Sequence, residues 1–176
     1  YDNVKLISVV GDDFGDNINI IKNRNIAIEG IEVITGGKSF FWSGKYHNDM
    51  NSRDTLATDL NVLADFDPKV PPSYQDCEYL LLGNLTPNVQ MTVLNRLHKQ
   101  PKLVVLDTMN YWMDVALDDL KEVLKRVDIL TINDSEARQL SGEYSLVKAA
   151  NKILDMGPRY LIIKKGEHGS LLFGEG

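Results

Sequence analysis

The sequence predicts an α/β protein built on a mostly parallel sheet, with a small β-rich segment inserted near its start. Three observations lead there. Short apolar runs, each long enough for one buried strand, recur along the second half of the chain. The segments between them carry apolar residues at helical spacing. Residues 31–62 break this rhythm with glycines, aromatics and partial alternation.

Val4-Lys5-Leu6-Ile7-Ser8-Val9-Val10 reads as the first strand. Gly11-Asp12-Asp13-Phe14-Gly15-Asp16 is rich in turn residues, and Ile18 and Ile21 then mark a short helix ending near Asn25. From Ile31 to Ile34 and from Lys38 to Tyr46 the chain alternates in part like strands. Gly36-Gly37, Gly44 and the polar run His47 to Ser52 read as turns between them. This stretch is expected to form an antiparallel flap over 31–62, with 1–30 and 63–176 making the α/β core.

The second half alternates regularly. Tyr79–Leu82, Leu103–Asp107, Asp128–Ile132 and Tyr160–Lys164 read as buried strands. Val89, Val93, Leu94 and Leu97 mark one amphipathic helix, and Leu117, Leu120, Leu124 and Val127 a second. A short helix over about 135–140 ends at Gly142. Ser145 can cap the next, whose apolar face is Leu146, Ala149, Ala150, Ile153 and Leu154 and which Gly157-Pro158 stops. Ser170–Phe173 is a last strand. Neither terminus reads as a natural boundary: a strand starts almost at once after Tyr1, and Gly174-Glu175-Gly176 is a turn with no strand behind it. Missing structural portions are expected at both ends, with omitted disordered tails as the other reading.

Hydrophobic residues make up 43% and charged residues 25% of the 176, enough for a buried core. The net charge of −6 argues against general nucleic-acid binding but leaves room for a locally positive nucleotide pocket. Cys77 is alone, so no internal disulfide forms, which suits a reducing cytosol. No apolar run is long enough to cross a bilayer, and no charged-then-apolar leader opens the chain.

In a wound sheet, ligands gather beyond the carboxyl ends of the strands. The loops starting at Gly83, Asp107, Asn133 and Lys165 therefore hold the candidate site. Asn133-Asp134-Ser135-Glu136 opens a helix directly after a strand. The pattern fits plain helix capping; it also fits phosphate at the helix start, with Glu136 holding Mg²⁺ through water. Lys165-Gly166-Glu167-His168-Gly169 is either an ordinary hairpin turn or a close backbone approach to a nucleotide, with Lys165 neutralising phosphate. Asp107, with Asn110 behind it, either faces the ligand or caps its own loop. Phe40, Trp42, Gly44 and Tyr46 share one face of the flap. Its aromatics can pack, cover a sugar or base, or meet another subunit.

Other chemistries lack their residues. Gly37-Lys38-Ser39 imitates the end of a P-loop, but Glu32 stands where its upstream glycine belongs. No nucleophile elbow or dinucleotide fingerprint is present. His47, His98 and His168 have no partners at metal-ligand spacing.

Taken in order, these segments resemble the ribokinase-like (PfkB-type) carbohydrate kinase family. Val10-Gly11-Asp12-Asp13-Phe14-Gly15 is similar to its early Val-Gly-x-Asp-x-x-Gly segment, Gly30-Ile31 to the Gly-Ile leading into its lid, and residues 31–62 to that lid. Asp107-Thr108-Met109-Asn110 is a looser version of its Asp-x-Asn segment. Asn133-x-x-Glu136 matches its Asn-x-x-Glu motif, and Lys165-Gly166-x-x-Gly169 the turn before its nucleotide pocket.

The resemblance implies a three-layer α/β sandwich with a β lid, and in-line transfer of a phosphoryl group from ATP, with Mg²⁺, to a hydroxyl of a small sugar-like molecule. A nucleoside acceptor, or a non-catalytic ligand-binding relative, are the alternatives. Asn133 and Glu136 would organise Mg²⁺ and phosphate, and Lys165, Gly166 and Gly169 would border the nucleotide. Phe40, Trp42, Asp107 and Asn110 would meet the substrate or form the lid, which can also pair two copies into a homodimer. A cytoplasmic location is expected. The family's Gly-Ala-Gly-Asp segment, which carries its aspartate base, is absent, as are its N-terminal strand and substrate-contacting Gly-Gly segment. This polypeptide alone is therefore expected to be inactive.

Overall fold

The computed structural model describes residues 3–48 and 53–174. The chain divides into two compact units, Tyr1–Gln75 and Asp76–Gly176.

In the first unit, β1 (Val4–Gly11) is followed by helix α1 (Asn17–Lys22) and strand β2 (Ile26–Ile34). β2 runs parallel to β1, in a register from Val4 opposite Ile26 to Gly11 opposite Ile34. Ile31–Ile34 was expected to open the antiparallel flap. It belongs instead to this parallel pair, because its alternation is the same for either direction of pairing and β1 supplies the partner. The antiparallel part is narrower: β3 (Phe41–Tyr46) and β4 (Arg53–Asp59) form a hairpin. The expected turn residues 49–52 lie outside the described residues. Gly44, also expected in a turn, sits inside β3. A Cβ there would fall 2.3 Å from Cη2 of Trp42, so the glycine lets that indole lie flat on its own strand. Phe40 precedes the strand. The register slips between Ser43 and Gly44, leaving Leu56 as an unpaired, exposed bulge residue.

The second unit is a five-stranded sheet in the order β5 (Tyr79–Leu82), β6 (Leu103–Asp107), β7 (Ile129–Asn133), β8 (Tyr160–Lys164), β9 (Ser170–Gly174). The first four strands are parallel, and β9 returns antiparallel along β8. Between them lie α2 (Pro87–Arg96), α3 (Asn110–Val115), α4 (Leu117–Leu124), α5 (Asp134–Ser141) and α6 (Leu146–Leu154). α3 has no counterpart in the sequence reading: its large apolar residues, Tyr111, Trp112 and Met113, stand in a run and not at helical spacing. α4 ends before Val127, which is nevertheless buried. Gly142 closes α5 in the left-handed conformation, as expected, at φ 69°. Ser145 occupies the N-cap of α6 but makes no side-chain cap hydrogen bond.

The strand order never reverses within the parallel set. Right-handed crossovers then place every connecting helix on the same face of the sheet. Burial agrees. Leu82, Val104, Leu106, Leu130, Ile132, Leu161 and Ile163 are buried, whereas Tyr79, Leu81 and Leu172, on the other face, are 69%, 67% and 70% exposed. Asp128 stitches the amino ends of the strands together. Its carboxylate accepts from the Val104 amide at 2.8 Å, and its carbonyl from those of Arg159 and Tyr160 at 3.0 and 2.9 Å.

Two substitutions separate the faces. Leu130→Ala should lower the unfolding free energy by about 2–5 kcal/mol, whereas Leu81→Lys should change it by less than about 0.5 kcal/mol. Urea titration reads both, and a large loss at Leu81 would contradict an open second face.

Candidate functional site

Four parallel strands bring their carboxyl ends to one edge, and three of the predicted segments stand there. Asp107 ends β6, Asn133 ends β7, and Lys165 follows the last residue of β8. Asn133 is paired in register with Lys164. Residues 107, 131 and 133, with 164, share the face opposite the helices, by the parity of the strands.

Asn133 and Glu136 form a reciprocal capping box. The Asn133 side-chain oxygen accepts from the Glu136 amide at 2.8 Å, and Glu136 Oε2 accepts from the Asn133 amide at 2.7 Å. Capping was one of the two readings of this motif, and it is realised. Glu136 is only 3% exposed, and one of its oxygens is held by backbone. Among the described residues, no group of three or more His, Cys, Asp or Glu could hold a metal ion. The described residues therefore form no all-protein metal cage at this edge.

The Lys165 segment is a tight hairpin turn joining β8 to β9. Lys165 donates its amide to the Gly169 carbonyl at 2.8 Å, and Gly166 and Gly169 have φ of 57° and 77°. A Cβ on Gly169 would meet nothing within 4 Å, so backbone conformation, not crowding, calls for glycine there.

Asp107 does not stand free. Its Oδ1 lies 3.1 Å from Nζ of Lys164, so the β6 carboxylate and the β8 ammonium close over the end of β7. The sequence reading picked Lys165 and passed over Lys164. Strand parity was the available signal, because Tyr160, Ile162 and Lys164 alternate onto the same face as Asp107. Asn110 starts α3 and donates to Gln139 Oε1 at 2.5 Å; Gln139 in turn donates to Asp114 at 2.7 Å. Gln139 thus ties the loop after β6 to α5, a link that sequence spacing does not reveal.

Phe40 and Trp42 belong to the first unit. The Trp42 ring lies 5.5 Å from the Arg53 guanidinium and its Nε1 donates to Thr55 at 3.4 Å, so this indole packs on its own hairpin. Two grooves of that unit, of about 290 and 370 Å³, share Glu32, Phe66 and Lys69 in their walls and contain none of the predicted site residues.

The Gly11–Gly15 loop is fixed by its aspartates. Asp13 accepts from both the amide and the hydroxyl of Ser39, at 2.8 and 2.7 Å, and Asp12 accepts from the Gly36 amide at 2.5 Å. These bonds explain why Gly37-Lys38-Ser39 imitates a P-loop without being one: Ser39 serves the aspartate loop, and β3 follows it rather than a helix.

Fold and edge together define an α/β protein of the ribokinase-like class. The chain belongs to the pfkB family of carbohydrate kinases, whose profile it matches over residues 2–176. It is 26% identical over 174 residues to a cytidine kinase of Thermococcus kodakarensis, covering 97% of this chain and 61% of the relative. It superposes on the Methanocaldococcus jannaschii nucleoside kinase, a ribokinase-family member, with TM-score 0.73 at 18% identity, over 98% of this chain and 56% of that one. A protein described as a ribokinase II from E. coli, solved with ATP and Mg²⁺, gives 0.72 at 18%, over 98% and 59%. At these identities the structural likeness is one of fold. The chain spans about three fifths of the length of these proteins.

The hydrogen bonds from Ser39, the side-chain one foremost, hold the Asp13 carboxyl below the usual aspartate range. A depressed pKa makes the contribution of this contact complete above the ordinary value and lost as pH falls through the lowered one. Protection of the Ser39 amide, taken relative to its intrinsic exchange rate at each pH, should therefore fall only in strong acid. Asp13→Asn should remove that pH dependence; an unchanged profile would discount the contact.

Proposed function

We propose that this chain carries the nucleotide-phosphate side of a kinase that transfers a phosphoryl group from ATP to a hydroxyl of a small sugar-like molecule. The observation that carries this reading is the single edge where Asp107, the Asn133–Glu136 box and the Lys164-Lys165 turn stand on adjacent strands. A nucleoside acceptor is favoured over a free sugar by the match to a cytidine kinase.

Each residue has a task within this reading. The start of α5 offers backbone N–H groups and the positive end of its dipole to phosphate oxygens. Glu136 accepts hydrogen bonds from the water shell of Mg²⁺, while the same carboxylate fixes the helix start. The Lys165–Gly169 turn borders the nucleotide with backbone rather than side chains. Asp107 and Asn110 face the acceptor side. Mg²⁺, held through water by Glu136, would supply neutralisation of phosphate charge. The proton of the acceptor hydroxyl needs a base, which the family carries in a Gly-Ala-Gly-Asp segment that residues 1–176 do not contain. Residues 1–176 alone are thus proposed to be inactive, and the cytosol, where ATP and Mg²⁺ are supplied, is the proposed location.

The β3–β4 hairpin is proposed as the lid element. A two-stranded hairpin is marginal by itself, and this one exposes Phe41, Tyr46 and Leu56. A second copy covering one face of the hairpin would stabilise it.

Glu136→Gln in the full-length protein should keep the melting temperature, since glutamine completes a capping box as well. It should lower Mg²⁺-dependent turnover by about 10- to 100-fold. A normal rate and normal Mg²⁺ dependence would remove Glu136 from the chemistry. For the hairpin, Leu56→Lys should weaken self-association by about tenfold or more in sedimentation velocity; wild-type protein that stays monomeric at all concentrations would end the dimer reading.

A further inference from the structure

Gln90 is the most deeply buried polar side chain of the second unit, at 2% exposure, and the phosphotransfer reading gives it no role. It sits on the apolar face of α2 with Val93 and Leu94, three and four residues on. Its Nε2 donates to the Gly83 carbonyl at 2.7 Å and reaches the Asp107 carbonyl at 3.4 Å. These are the first residue after β5 and the last residue of β6. Two carbonyl partners fix the orientation of the amide, because the flipped form would set oxygen against oxygen. Among the described residues its Oε1 has no hydrogen-bond partner, nor does Oγ1 of buried Thr108. A half-used carboxamide in an apolar core is unfavourable by itself. Its donor side is what the position requires.

The same two loops are tied again above it. Trp112 Nε1 donates to Asn84 Oδ1 at 2.8 Å, and Asn84 Nδ2 lies 3.0 Å from Met109 Sδ. We infer that Gln90 is a positioning residue, a buried pin that locks the loops after β5 and β6 into one rigid piece and so fixes the acceptor-side residues Asp107 and Asn110. The inference of a locked piece stands on these contacts; its effect on the acceptor rests on the kinase reading.

The test compares Gln90→Met, which keeps bulk and loses the donor, with Val93→Ala, which loses packing on the same helix face. Both are made in the full-length protein. Hydrogen exchange at amides 84–85 and 108–110 should rise about tenfold in Gln90→Met and stay near wild type in Val93→Ala. KM for a nucleoside acceptor should rise by a similar factor while KM for ATP stays within about twofold. Gln90→Leu, close in size and without a donor, stands in if the methionine variant does not fold. Equal exchange in the glutamine and valine variants overturns the pin. If the wild-type protein phosphorylates no nucleoside or sugar, the kinase reading fails, and the exchange contrast still decides Gln90.

Discussion

Everything at the candidate site follows from four parallel strands laid down in chain order. Backbone pairing from β5 to β8 sets their carboxyl ends along one edge. Right-handed crossovers then send each loop off that edge to a helix on the same side. Asp107, Asn133 and Lys164 are far apart in sequence, yet they become neighbours because each sits at or near the end of its strand. No special interaction has to gather them. The ion pair between Asp107 and Lys164 is a product of this alignment, being half-exposed and too weak to cause it.

The capping box shows how one residue can satisfy two demands. Glu136 is buried, and burying a carboxylate is unfavourable unless it is hydrogen-bonded. The Asn133 amide supplies such a bond and fixes the helix start in the same contact. The helical and the catalytic readings of Asn-x-x-Glu were set against each other at the level of sequence. In three dimensions the cap is what forms, and the proposed phosphate role is compatible with it, because the capped first turn of α5 stands at the carboxyl edge of the sheet.

The strands of the second unit were the most legible part. Tyr79–Leu82, Leu103–Asp107 and Tyr160–Lys164 stand where the apolar runs put them, but Tyr79–Leu82 was expected to be buried and is buried on its helix-facing side alone, with Tyr79 and Leu81 exposed. Residues 26–34 were harder. Ile26, Ile28, Ile31 and Val33 alternate with small or charged residues, so the segment reads as strand only from its second half, and nothing in it says whether the partner runs with it or against it. α3 escaped because its helix is held by tertiary contacts, with Trp112 and Met113 buried, rather than by a period. In the site, the motif positions were visible and their contacts were not. Lys164 gains meaning from a partner 57 residues away, and Gln90 from two partners, 7 and 17 residues away.

The unreversed strand order also bears on how the second unit assembles. Each parallel strand pairs with the one that precedes it in the chain, so every closure spans one or two short helices and their loops. Closing such short segments sacrifices little chain entropy, and low separation between contacting residues goes with rapid folding. The sheet can therefore grow outward from any adjacent pair, strand by strand, without waiting for distant parts of the polypeptide to meet.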